Sequence, residues 1–190
     1  MSNTLLINEN HPLRKQAEAH IKNIYLKKYT AFITEFPPLI LALTDDCGKI
    51  TCAAGVRFST SGFFSNCYLS LPLEQRVSDV FKTRFSCDDI LEITTLASNK
   101  SGQLFPFISE VIKLARKFRK PVGIFTITQQ LQKILLHAGM PLVKIASADI
   151  SAVSVPEQWG SYYTQDPAVF AVLDSNKAPL SLTIPGEVHA

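Results

Sequence analysis

At 190 residues, with 46% hydrophobic and 18% charged side chains, the chain is long enough to bury a core and too apolar to be disordered or fibrous. Its formal charge of +3 is too small to argue for a nucleic-acid partner. No apolar run approaches the roughly 20 residues that cross a bilayer, and the first residues show no basic segment ahead of an apolar one, so neither an integral membrane segment nor a secretory signal is expected.

Residues 11–33 place Leu13, Ala17, Ile21, Ile24, Tyr25, Lys28 and Phe32 at steps of three and four, which predicts a helix stopped by "FPP" at Phe36 to Pro38. In "LILALTDDCGKITCAAGVRF" two apolar segments flank the turn signal "DDCG", so a hairpin is expected with strands near 38–44 and 49–58. "STSG" reads as a loop, "FFSNCYLSL" as a short strand or turn, and "PLEQRVSDVFKTRF" as a helix with Pro72 in its first turn. "DDILEITTLAS" is β-rich and predicts a central strand.

The next helix carries an apolar stripe of Leu104, Phe105, Ile108, Val111, Ile112, Ala115 and Phe118. "PVGIFTIT" predicts a buried strand, "QQLQKILLHAG" a short helix ended by Gly139, "MPLVKIA" a strand, "WGSYY" a junction and "PAVFAVLD" a last strand. The expected architecture is one α/β domain over residues 1–173, with a mixed central sheet flanked by helices, and an irregular extension over 174–190. Cys47, Cys52, Cys67 and Cys87 form no CxxC and no His/Cys ligand spacing, so reduced thiols in a cytoplasmic protein without a metal are expected.

One junction points to chemistry. The central strand runs through Ser98, Asn99, Lys100, Ser101 and Gly102 into a helix. Small polar residues there can simply cap the helix. They can equally leave backbone N–H groups free for an anion, with Gly102 permitting close approach and Lys100 adding charge. Neither GxxxxGK[ST] nor GxGxxG is present, so this is not a nucleotide loop of those kinds.

The element order and this loop resemble the acyl-CoA N-acyltransferases of the GNAT superfamily, whose central strand leads into a [Q/R]xxGx[G/A] pyrophosphate loop; "NKSGQL", Asn99 to Leu104, matches its middle glycine only. "AAGVRF", "YLSLPLE", "EITTLAS", "FTIT" and "WGSYYTQDP" occur in an order that resembles the thermostable hemolysin family, itself similar to acyl-homoserine-lactone synthases. The resemblance spans about residues 12–173. Where that family tends to carry acids, this chain has Asn66 and Ser70, keeping Glu74, and Thr94 and Thr95 replace its usual Gly and Asn. If those acids bind an amine in relatives, this chain takes a different substrate or has reduced activity.

The resemblance implies a GNAT-like fold and acyl transfer from acyl-CoA, or an acyl carrier protein thioester, to an amine or amino-acid acceptor. It implies cofactor contacts along Thr95, Leu96 and Ala97, whose N–H groups polarise the thioester if the strand splays, and along Asn99, Lys100, Ser101, Gly102 and Gln103. Such chemistry also needs a base for the ammonium and a proton for the leaving thiolate. Glu92, on the central strand, is the expected base, although it also reads as a carboxylate facing water or paired with Arg57 or Arg84. Glu74 is a second candidate and also suits a helix first turn. Tyr162 or Tyr163 can supply the phenol, or be packing anchors like Trp159. Arg57 and Tyr68 are expected at the acceptor, Arg57 on a carboxylate or phosphate, unless it is merely solvated. Phe63 and Phe64 can line an acyl tunnel or belong to the core. Two other readings stay open: a membrane-active toxin, and a non-catalytic binding module on an enzyme fold.

Overall fold

The computed structural model describes residues 3–99, 101–174, 179, 180 and 182. Among these described residues, four α-helices pack on a seven-stranded mixed sheet with strands β1 (Asn3–Ile7), β2 (Leu39–Thr44), β3 (Ile50–Arg57), β4 (Ile90–Ser98), β5 (Val122–Ile127), β6 (Val143–Ser147) and β7 (Ala168–Leu173). The helices are α1 (Arg14–Tyr29), α2 (Leu73–Phe81), α3 (Leu104–Lys117) and α4 (Gln129–His137). The sheet order is β1-β2-β3-β4-β5-β7-β6, and every pair is antiparallel except β4 with β5. The α/β domain with a mixed sheet is therefore as expected. The second strand–helix–strand unit gives no parallel pair, because β7 inserts between β5 and β6.

Alternation sets the two faces. Leu91 and Ile93 of β4 meet Phe107, Ile108 and Val111 of α3 on one face. Ile90 turns to the other face, where α1 covers β2 to β4 and α2 covers β5 to β7. On that face Ala31, Ile33, Trp159 and Tyr162 join the α1 cluster, and Phe63, Tyr68 and Leu69 join the α2 cluster.

Several local expectations change. The hairpin forms, with Gly48 at φ +76° in its turn. The first helix stops at Tyr29, well before "FPP", because Thr30 is left-handed and its N–H closes on the Leu26 carbonyl. Phe32 is consequently 59% exposed instead of buried on a stripe. Pro72 precedes α2 as its cap with extended ψ, outside the first turn. "FFSNCYLSL" is neither strand nor simple turn: Phe64–Tyr68 forms a 3-10 helix. On α3 the buried stripe includes Phe107 and Leu114, whereas Phe118 is largely exposed at the end. The strand β1 was not anticipated; its five residues complete the sheet edge beside β2. Of the expected C-terminal extension most lies outside the described residues, but Leu180 packs on the α3 face, and its N–H donates to Asp174 Oδ1 at 2.7 Å.

Candidate active site

β4 and β5 pair only from Ile90/Val122 to Ile93/Phe125. Beyond that point both strands continue, with β4 reaching Ser98 and β5 reaching Ile127, and neither bonds the other. Along residues 94–97 the β5-facing edge is therefore outside the β4/β5 ladder. That is the splay on which the expected role of Thr95, Leu96 and Ala97 depends.

A bulge shapes the same stretch. Gly55 pairs with Thr94 but Ala53 pairs with Ala97, so two residues of β4, Thr95 and Leu96, oppose one of β3. Thr95 adopts φ +48°, an uncommon conformation for a β-branched residue. The extra residue reverses the alternation: Leu96 packs on the α3 face, while Ala97 joins the cluster under α1. Gly55 matters here for close approach, since a Cβ would lie 2.5 Å from Thr94 Oγ1 and 2.6 Å from Pro37 Cγ.

Two cavities open from the splay. The larger, about 450 Å³, lies at the C-terminal ends of the two strands, between the starts of α3 and α4 and the side of α1. Leu96, Ser98, Asn99, Leu104, Phe105 and Leu131 contribute to its wall. The smaller, about 100 Å³, lies on the α1/α2 face and reaches Arg57, Phe64, Tyr68, Thr94, Thr95 and Trp159. Tyr25, Thr126 and Tyr162 border both.

Tyr162 is the hinge of this arrangement. Its hydroxyl donates to the Thr126 carbonyl at 3.2 Å, beside the place where β4 leaves β5. Tyr25, Tyr29, Trp159 and Tyr163 surround the ring. Burial pushes its pKa far up, so the phenol stays protonated. Tyr68 and Tyr163 share a hydroxyl–hydroxyl hydrogen bond at the edge of the smaller cavity. Burial also raises both of these pKa values, that of Tyr163 to about 12.

Glu92 is fully buried, and its two oxygens accept the N–H groups of Phe64 (2.6 Å) and Ser65 (2.8 Å). Burial raises its pKa, while Ser65, the Phe64 amide and the Arg57 charge pull it back. It lines neither cavity. What it does is fix the 3-10 turn that carries Phe64 and Tyr68 to the smaller one. Arg57, its cross-strand neighbour, is held at the Ser61 carbonyl by Nη1 at 3.1 Å. Glu74 sits in the first turn of α2, away from both cavities. Asn66, at one of the positions lacking the acid, accepts the Leu73 N–H at 3.1 Å and so caps α2.

In the loop, Asn99 borders the larger cavity and Lys100 lies outside the described residues. Gly102 is exposed, and a Cβ there would meet nothing within 4 Å. Gln103 stands at the N-cap of α3 with a buried Oε1 that lacks a hydrogen-bond partner. Phe63 belongs to the core near α2, whereas Phe64 borders the smaller cavity, not the larger. Thr94, Thr126 and Trp159 were not anticipated as site residues. The two threonines follow the paired stretch of adjacent strands, in "EITTLA" and "FTIT", a signal visible only once those strands are known to be neighbours.

The family model described as thermostable hemolysin matches residues 7–177. The chain belongs to that family. No curated protein sequence matches it significantly. Among solved structures it is similar to the acyl-homoserine-lactone synthase LasI, with TM-score 0.62 and 9% identity over 91% of this chain and 90% of that one. It is similar to FeeM, an N-acyl amino acid synthase from uncultured soil microbes, with TM-score 0.56 and 10% identity over 90% of each chain. A probable acetyltransferase from Staphylococcus epidermidis ATCC 12228 gives TM-score 0.54 and 11% identity over 92% of this chain and all of that one. At such identities the likeness concerns the fold, which in this hemolysin-family chain is GNAT-like. Among the described residues no helix is long and apolar enough to cross a membrane.

Proposed function

We propose that this thermostable hemolysin family protein is an N-acyltransferase that moves an acyl group from a thioester, acyl-CoA or an acyl carrier protein, to an amine. The observation that carries the reading is the pair of cavities meeting at Tyr25, Thr126 and Tyr162, where β4 and β5 part. The larger cavity suits a long, mostly apolar thioester arm. The smaller suits a compact acceptor.

In this reading the acceptor nitrogen attacks the thioester carbonyl at the shared wall. Unpaired N–H groups of residues 95–97 stabilise the oxyanion. The acceptor reacts as the free amine, its ammonium proton already lost to solvent; the tetrahedral intermediate collapses to an amide, the C–S bond breaks, and Tyr162 gives its proton to the departing thiolate while regaining one from the nitrogen. Asn99 to Gln103 hold the polar end of the thioester ahead of α3, with Lys100 adding charge. Arg57 and Tyr68 hold the acceptor. Glu92 keeps the 64–68 turn in place; as a base it acts only through groups that reach the cavity. Glu74 acts at one further remove, as a helix acid.

The test is release of free thiol and formation of an amide of the expected mass, using acyl-CoAs of graded chain length and acyl carrier protein thioesters against an amine mixture. Turnover that Tyr162→Phe slows strongly supports the reading. Absence of turnover with every thioester defeats it.

A further inference from the structure

We infer that the smaller cavity is built for the carboxylate of an amino acid, so that the acceptor is an amino acid and not a simple amine. This rests on the acyltransferase reading for its chemistry, and on the cavity itself for its evidence.

Four residues that line this one cavity each carry a solvent-shielded polar side-chain atom without a hydrogen-bond partner: Arg57 Nε, Thr94 Oγ1, Thr95 Oγ1 and Thr126 Oγ1. Buried polar groups are nearly always satisfied, because each orphan costs about 1–3 kcal/mol. Four around one small space are best explained by a ligand that satisfies them. Its chemistry follows from the donors. Arg57 cannot accept a hydrogen bond and is always charged, so the ligand presents an acceptor with negative charge there. Nη1 is already tied to the Ser61 carbonyl, which fixes the guanidinium and leaves the Nε edge to the ligand. The hydroxyls of Thr94 and Thr95 can donate to the same anion. An ammonium alone would be repelled by Arg57.

No ion pair to Glu92 competes among the described residues, since that carboxylate is turned to the Phe64 and Ser65 amides. Glu35, exposed, is the acidic residue among those lining the cavity, and it disfavours a second carboxylate on the ligand. With the carboxylate at Arg57, the amino group falls toward Thr126 and Tyr162, the wall shared with the larger cavity. The space of about 100 Å³ favours a compact ligand.

Trp159 is the chain's single tryptophan and borders this cavity, so its fluorescence reports occupancy without any turnover. Purified protein, with and without CoA, is titrated with the twenty standard amino acids, the amines left by their decarboxylation, their methyl esters, and phosphoethanolamine. The expected result is saturable change with at least one amino acid, with its amine and ester at least tenfold weaker. Arg57→Gln should weaken the amino acid at least tenfold and leave the amine unchanged; Thr94→Val should do the same in smaller measure if Arg57→Gln does not fold. Amines, esters or phosphoethanolamine binding as tightly as amino acids would overturn the inference, as would no saturable change with any amino acid. Amino-acid binding without acyl transfer from any thioester would instead sink the enzyme reading and leave this one standing.

Discussion

The two cavities differ in how they are made. The larger forms from neighbours in sequence: β4 and β5 part, and each runs straight into the helix that borders the opening. The smaller sets Thr94, Thr95 and Thr126 of those two strands against distant parts of the chain: α1, the 33–37 segment, Arg57 of β3, the 64–68 turn and residues 153–162. The first is a property of the fold, shared by any chain with this topology. The second belongs to this sequence, and under the proposed acyltransferase reading it is where substrate choice would be set.

The strap between residues 29–34 and 158–161 is the part of the second cavity most open to attack. Gly160 adopts φ +49° with ψ −126°, and a Cβ there would lie 2.2 Å from the Tyr29 carbonyl oxygen. Ser161 N–H donates to that same oxygen at 2.8 Å, Phe32 N–H donates to the Gln158 carbonyl at 2.6 Å, and the Thr34 hydroxyl donates to Gln158 Oε1 at 3.0 Å. Gly160→Ala should cost about 3 kcal/mol or more, measured by urea unfolding. If the protein still folds, Trp159 should become more exposed while CoA binding survives. Loss of both together would show that the cavities are one unit.

How much was legible follows the same division. The hairpin, β4, α3 and β5 were readable because their periodicity and turn chemistry act locally. The bulge at Thr95 was not: its cause is pairing with β3 across about forty residues, and "TT" reads as ordinary strand. The end of α1 at Tyr29 was hidden because Thr30 is not a usual left-handed residue, and its conformation is held by later residues that bind the α1 carbonyls. Glu92 was legible as a buried carboxylate but not as the acceptor of two amides from a turn 27 and 28 residues earlier. Thr126 and Trp159 lay in quoted motifs, "FTIT" and "WGSYYTQDP", but nothing local marked them as cavity residues.

At the shared wall, Tyr162→Phe keeps the ring among its aromatic neighbours and removes only the hydroxyl. Proton donation of this kind is worth about 10²-fold or more in rate. We expect kcat to fall by about that factor with the acceptor KM little changed, and stability to drop by about 1 kcal/mol as the Thr126 bond is lost. Unchanged kcat would return Tyr162 to packing alone.

Glu92→Gln tests the floor beneath the smaller cavity. Because burial raises the folded-state pKa above the unfolded one, the native protein holds its proton to higher pH. Its contribution is thus full below the unfolded value and declines as pH rises through the raised folded value. The wild-type margin over Glu92→Gln, about 1–3 kcal/mol at the acid end because a glutamine leaves one amide without an acceptor, should narrow as pH rises. Unfolding curves from pH 4 to 8 decide it. A widening margin would mean that the two amides and Arg57 outweigh burial.

The smallest effect is expected in the loop ahead of α3. Gly102 has open space where a Cβ would go and needs no left-handed conformation, so Gly102→Ala should change stability by less than about 1 kcal/mol. That indifference makes the substitution informative about ligands. If the loop only caps α3, nothing else should change, and CoA should shift the melting temperature of both proteins equally. If it approaches the thioester's phosphates, a methyl group on bare backbone should weaken CoA several-fold while amino-acid binding at Trp159 stays as it was. A loss at both sites would tie the loop to the smaller cavity, which its position beyond Asn99 gives no reason to expect.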